Sequence, residues 1–191
     1  MSKIRLAILA SGSGSNAESI MKWAAGSDIA EVVCVGSDKK KALVHERAVK
    51  FHVPSFAVIK KIGEERTSFD KRLFLKLESF RPDWIVLAGY MKLLTPQFLE
   101  HFPERVINIH PSLLPAFPGT DGYGEAFRAG VEMSGCTVHF VDEGMDTGKI
   151  IAQATIPRLS SDSLDDFKKR GLKIENEFYP QVIEKLLRNT L

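Results

Sequence analysis

The sequence predicts an α/β protein: a doubly wound, mostly parallel sheet with an antiparallel C-terminal part, in one domain over residues 1–191. Three observations predict it. Short apolar runs alternate with segments of helical period through the first half of the chain, the pattern of successive strand–helix–strand units. Among those runs, Trp84–Leu87 is apolar throughout rather than alternating with polar residues, as a buried parallel strand should be. After Ile109 the rhythm changes: two strand-like runs are separated by a glycine-containing loop too short for a helical crossover, so they pair antiparallel.

Ile4–Leu9 reads as the first strand and 16–25 as the first helix. A second strand covers 32–35, a helix 41–51 and a short third strand 56–59. The helix over 68–80 carries Phe69, Leu73, Leu77 and Phe80, an apolar stripe of helical period. Trp84–Leu87 is the fourth strand and 106–109 the fifth. Residues 122–129 form a helix, and 136–141 and 149–156 form the antiparallel strands. Ser163 caps a long last helix whose first turn holds Asp165 and Asp166, favourably placed at the positive dipole end. Pro180 is expected to kink it.

Hydrophobic content of 44% and charged content of 26% are those of a water-soluble globular chain. The net charge of +2, without clustered basic residues on one segment, argues against a nucleic-acid surface. The runs 39–41 and 168–170 read as solvated helix faces. Cys34 and Cys136 are far apart and show no metal-ligand spacing, so a reduced pair is expected. The N-terminus runs straight into a strand with no signal-peptide pattern, and no segment is long enough to span a membrane. These features predict a cytoplasmic protein without metal, membrane or nucleic-acid partner.

Two stretches carry chemistry. After the first strand, Ser11-Gly12-Ser13-Gly14-Ser15-Asn16-Ala17 opens a helix, where free backbone N–H groups and the positive helix end receive an anion. The stretch fits the dinucleotide fingerprint G-x-G-x-x-A, with Asp38 as a candidate acidic partner, so a nicotinamide enzyme competes. However, Asp38 follows Gly36-Ser37 instead of ending its strand, and the loop hydroxyls suit a phosphate monoester. A tight turn without ligand is the third reading. The second stretch is Asn108-Ile109-His110-Pro111-Ser112-Leu113-Leu114-Pro115. Residues i and i+2 of a strand share a face, so Asn108 and His110 project together beyond the strand end. An amide N–H holds a developing oxyanion, an imidazole moves a proton near neutral pH, and a carboxylate nearby raises that imidazole's pKa. Pro111, Pro115 and Pro118 stiffen the loop that follows.

Followed downstream by Asp146-Thr147-Gly148, this motif closely resembles the signature of folate-dependent formyltransferases. From the first glycine loop through the last helix the chain is similar to the phosphoribosylglycinamide formyltransferases, which have a Rossmann-like fold. The resemblance implies transfer of a formyl group from 10-formyltetrahydrofolate, a cosubstrate and not a tightly bound cofactor, to the amine of glycinamide ribonucleotide in purine biosynthesis. It makes Asn108 the oxyanion donor, His110 the general acid/base and Asp146 the residue that tunes His110. The substrate phosphate falls to Gly14, Ser15 and Asn16, and the glycinamide end to Glu175. The folate falls to Arg66 and to Met91, Lys92, Leu93 and Leu94, where the family usually has arginine in place of Lys92. Trp84, in the strand ahead of that segment, is expected near the site. Thr120-Asp121-Gly122-Tyr123-Gly124 departs from a histidine-containing run, which leaves the role of that loop open. His139 stays open between a catalytic neighbour and a structural histidine.

Beside the nicotinamide-dependent oxidoreductase, three rivals remain. Methionyl-tRNA formyltransferase shares the motif but carries an additional C-terminal domain, and formyltetrahydrofolate hydrolase carries an N-terminal regulatory one; neither extension is expected here. A folate- or nucleotide-binding module without turnover is the third. A monomer or a homodimer is expected.

Overall fold

The computed structural model describes residues 2–190. Five parallel strands come first: β1 (Ile4–Leu9), β2 (Ala30–Ser37), β3 (Ser55–Ala57), β4 (Trp84–Leu87) and β5 (Val106–His110). Then β6 (Met133–Phe140) and β7 (Ile150–Pro157) add antiparallel to β5 and to each other. The order β3-β2-β1-β4-β5-β6-β7 is doubly wound: the chain moves outward from β1 to β3, then returns to the other side of β1 with β4.

Helices α1 (Ser15–Gly26), α2 (Val44–Lys50), α3 (Arg66–Glu78), α4 (Pro96–Leu99), α5 (Gly122–Arg128) and α6 (Leu164–Arg188) complete the chain. The strand period of two sorts the core into opposite faces. Leu6, Ile8, Val86, Ile107 and Ile109 pack on the side that also buries Ala17, Ile20, Tyr179 and Ile183 of α1 and α6. Ala7, Leu9, Ile85, Leu87 and Val106 pack on the other side with Phe69, Leu73 and Leu77 of α3 and Phe98 of α4. Asn108 and His110, in phase with Val106, belong to this second side.

Several boundaries differ from those expected. The third strand is centred earlier, over Ser55–Ala57, and α3 begins at Arg66. Helix α2 begins at Val44, so Lys39, Lys40 and Lys41 lie in the exposed turn before it and not on a helix face. Ser163 caps α6 in a reciprocal capping box with Asp166. The helix then runs unbroken through Pro180, which lies inside it. What holds it there is burial: the Tyr179 hydroxyl donates to the carbonyls of Leu87 (3.0 Å) and Ile107 (3.3 Å), and Ile183 and Leu187 are buried beyond the proline. Among the described residues no helix is long and apolar enough to cross a membrane.

Candidate active site

The strand order reverses between β1 and β4, so the loops that leave their C-terminal ends diverge and open a crevice. A cleft of about 460 Å³ lies there, within the usual range for small-molecule sites. Its walls are the loop after β1 (Gly12 to Asn16), the segment after β4 (Ala88 to Leu94), the end of β5 (Asn108 to Pro111) and the 142–146 turn, with Glu175 of α6. The two loops are tied together, because Ser11 N–H donates to Gly89 O (3.0 Å) and Met91 N–H donates to Ser11 Oγ (2.8 Å).

Strand β5 extends to His110, so both Asn108 and His110 sit on the sheet itself. Directly opposite Asn108 on β6 is His139. Asp146 comes from the turn after β6, in the left-handed region at φ 57°, which aspartate tolerates better than most residues. That turn is stapled by Asp142 Oδ1, which accepts from Gly144 N–H (3.1 Å) and Thr147 Oγ1 (2.7 Å). The glycine of Asp146-Thr147-Gly148 has a steric reason: a Cβ at Gly148 would collide with the Phe140 carbonyl.

Asp146 Oδ2 lies 3.2 Å from His110 Nδ1 and accepts from Gly119 N–H (2.8 Å), while its Oδ1 is 3.7 Å from His139 Nε2. His110 Nε2 is 2.8 Å from the Phe117 carbonyl. Both ring nitrogens of this buried imidazole therefore face acceptors, and only the doubly protonated ring satisfies both. Burial opposes that charge. The bonds to Asp146 and Phe117, with the charges of Asp146 and Glu175, outweigh burial and raise the His110 pKa above its ordinary 6.5. Burial likewise pushes the Asp146 carboxyl up, but His110 and the Gly119 N–H draw it below its usual range. His139 goes the other way: burial lowers its pKa below 6.5, against the pull of the Phe140 carbonyl and of Asp146.

Also bordering the cleft is the first turn of α1, whose Ser15, Asn16 and Ala17 N–H groups a helix cannot satisfy internally. The Asn16 side chain is committed elsewhere, its Nδ2 donating to Glu175 Oε2 at 2.7 Å. Asn16 thus offers an anion its backbone, while its side chain holds Glu175. Burial raises the Glu175 pKa, with Asn16 and the nearby His110 charge pulling it down. Gly14 sits at φ 73°, and a Cβ there would meet Val44 Cγ2 at 2.5 Å. Its missing side chain makes room for α2, a packing reason and not one of ligand approach.

The segment 91–94, expected to hold the folate, divides by residue. Met91 and Leu93 are exposed on the cleft wall, whereas Leu94 is buried beneath it. The Met91 N–H is already taken by Ser11 and is not free for a ligand. Lys92 lies 3.6 Å from Asp38, whose side chain is only 7% exposed. Asp38 is therefore not the free acid that a dinucleotide ribose requires. Arg66 is exposed at the start of α3, apart from the residues that line the cleft, and so is Trp84, buried at the opposite end of β4. In the loop that departs from the family pattern, Thr120 lines the cleft, and Asp121 is paired with Lys168 of α6 (2.8 Å) and Arg128 (3.0 Å). Sequence reasoning missed Met145 and Leu172 in the wall and left His139 aside. Only the β5–β6 register places His139 against Asn108, and nothing in the local sequence reports a register.

A sequence profile of the family described as "Formyl transferase" matches residues 4–183. The phosphoribosylglycinamide formyltransferase of Bacillus subtilis (strain 168) is 47% identical over 189 residues, spanning 96% of this chain and 94% of its own. Among solved structures, glycinamide ribonucleotide transformylase 1 from Symbiobacterium toebii superposes with a TM-score of 0.94 at 40% identity, covering 98% of this chain and 89% of its own. The protein of the same name from Geobacillus kaustophilus gives 0.92 at 43% identity, over 97% of this chain and 100% of its own. The chain belongs to the formyl transferase family and, within it, to the phosphoribosylglycinamide formyltransferases.

Proposed function

We propose that this cleft transfers the formyl group of 10-formyltetrahydrofolate to the amine of 5'-phosphoribosylglycinamide, the formylation step of purine biosynthesis. The observation that carries the residue roles is the convergence of Asn108, His110 and Asp146 at the end of β5, with a raised imidazole pKa and a buried carboxylate, Glu175, lining the same cleft.

The ribonucleotide phosphate rests on the first turn of α1, at Gly14, Ser15 and Asn16, and the glycinamide end is oriented by Glu175. The folate lies along Met91 to Leu94, between the exposed Met91 and Leu93 side chains and Met145. Arg66 remains a candidate for the folate tail alone, since it stands outside the cleft. The amine attacks the formyl carbon, forming the C–N bond and pushing the carbonyl electrons onto oxygen. Asn108 Nδ2–H and the His110 imidazolium stabilise that oxyanion, aimed at the charge as it develops. The attacking nitrogen then gives up a proton, the folate nitrogen gains one, and the bond between formyl carbon and folate nitrogen breaks. His110, held charged by Asp146, is the group that mediates this exchange. The reacting oxygen reaches His110 by replacing the Phe117 carbonyl at Nε2, which leaves the ion pair with Asp146 intact.

The test is acceptor dependence. Folate absorbance should report rapid loss of the formyl group only when glycinamide ribonucleotide is present. Equal rates with and without the acceptor would indicate hydrolysis.

A further inference from the structure

Asn108 can stabilise an oxyanion only if its amide nitrogen, and not its oxygen, faces the reacting centre. An amide side chain has two orientations of nearly equal shape, so something must choose between them. The choice is made on β6. His139 Nδ1 lies 2.8 Å from the Phe140 carbonyl, which only accepts, so Nδ1 carries the hydrogen. In the neutral ring Nε2 is then an acceptor. It lies 3.2 Å from Asn108 Nδ2, its direct cross-strand partner. One Asn108 amide hydrogen is thereby spent on Nε2, and the second hydrogen of the same nitrogen is left for a substrate oxygen.

We infer that His139 is a positioning residue for formyl transfer: as a neutral Nδ1–H imidazole it accepts from Asn108 and fixes the amide in the orientation that presents N–H to the formyl oxygen. The inference rests on the proposed transfer and on the role of Asn108 in it. Burial supports the neutral ring, since His139 is 2% exposed and His110, which carries the charge, is its neighbour. The charge that opposes this comes from Asp146, 3.7 Å from Nε2, and from Asp142. Asp146 is engaged more closely by His110 and by the Gly119 N–H.

Three measurements test it. In the wild-type protein at pH 7.5, ¹⁵N NMR of the His139 ring should show the neutral Nδ1–H tautomer. An Nε2–H tautomer or an imidazolium overturns the inference, whatever any variant does. His139→Leu removes the acceptor and should lower kcat by about tenfold or more, short of the 10²–10³-fold cost of deleting an oxyanion donor outright, with KM unchanged for both substrates. His139→Gln, whose Oε1 stands near the Nε2 position, should recover most of that loss. A merely structural histidine predicts that both variants lose folded protein while turnover per folded molecule is unchanged, and that result overturns the inference. So does a glutamine variant as slow as the leucine one. In an Asn108→Ala background, His139→Leu should cause no further loss, because its effect passes through Asn108. Additive losses overturn it. If wild-type protein forms no formylglycinamide product at all, the proposed function fails, while the tautomer measurement still judges the contact.

Discussion

Two imidazoles within reach of one carboxylate are driven to opposite charge states. His110 gains from Asp146 and the Phe117 carbonyl more than burial takes away, whereas His139, farther from Asp146, loses to burial. Divergence of neighbouring titrations is how one site keeps an acid and a neutral acceptor together near pH 7. The sign of the pH dependence follows. Turnover needs His110 charged, so it is lost as pH rises through a pKa above 6.5. It needs His139 neutral, which burial and the His110 charge favour and the charges of Asp146 and Asp142 oppose, so it is also lost as pH falls through a pKa below 6.5. A kcat–pH profile should be bell-shaped with limbs on either side of that value, and a profile lacking either limb would contradict this assignment. Asp146→Asn should lower kcat by roughly 10²–10⁴-fold and move the alkaline limb to lower pH, because His110 loses its counter-charge. Folate binding should stay intact, and an unchanged kcat would remove Asp146 from the mechanism. Glu175→Gln should raise KM for the ribonucleotide by one to two decades, the worth of a charged hydrogen bond of about 1.5–3 kcal/mol, with folate affinity unchanged. Steady-state kinetics with each substrate varied in turn separates these outcomes.

At the level of elements, what could be read from the chain was what local pattern dictates. The apolar runs of β1, β4 and β5 and the stripe on α3 are periodic signals, and Ser163 with Asp166 is a local cap, so these elements lie close to where the sequence puts them. Helix α4 was not anticipated, although Thr95 accepting from the Phe98 N–H (3.3 Å) with Pro96 next in line is a start signal that the sequence carries. Glycine 14 shows the limit of local reading. Its place in a glycine loop suggests ligand approach, but the group that a Cβ would strike is Val44, brought in by the packing of α2. Gly14→Ala should therefore lower stability, by about 1–2 kcal/mol for the left-handed backbone and about 1–3 kcal/mol for overpacking. Thermal unfolding measures this directly. An unchanged midpoint with selective loss of ribonucleotide binding would restore the ligand-approach explanation.

On the scale of the molecule, the site exists because of the winding order. Loops after β1 and β4 part where the sheet reverses, the end of β5 supplies Asn108 and His110 beside them, and β6, added antiparallel, returns His139 and Asp146 to the same edge. The motif residues were legible because each announces its chemistry by type and spacing. Their partners were not, since His139 against Asn108, Asn16 against Glu175 and Asp38 against Lys92 are fixed by topology and register across 31, 159 and 54 residues of sequence respectively. The central claim, that this assembled cleft moves an intact formyl group between two bound substrates, is tested most directly by isotope transfer. Supplied with ¹³C-formyl 10-formyltetrahydrofolate and glycinamide ribonucleotide, the protein should place the label on the ribonucleotide amine, one label per folate deformylated. Label appearing as free formate, with the ribonucleotide unmodified, would contradict it.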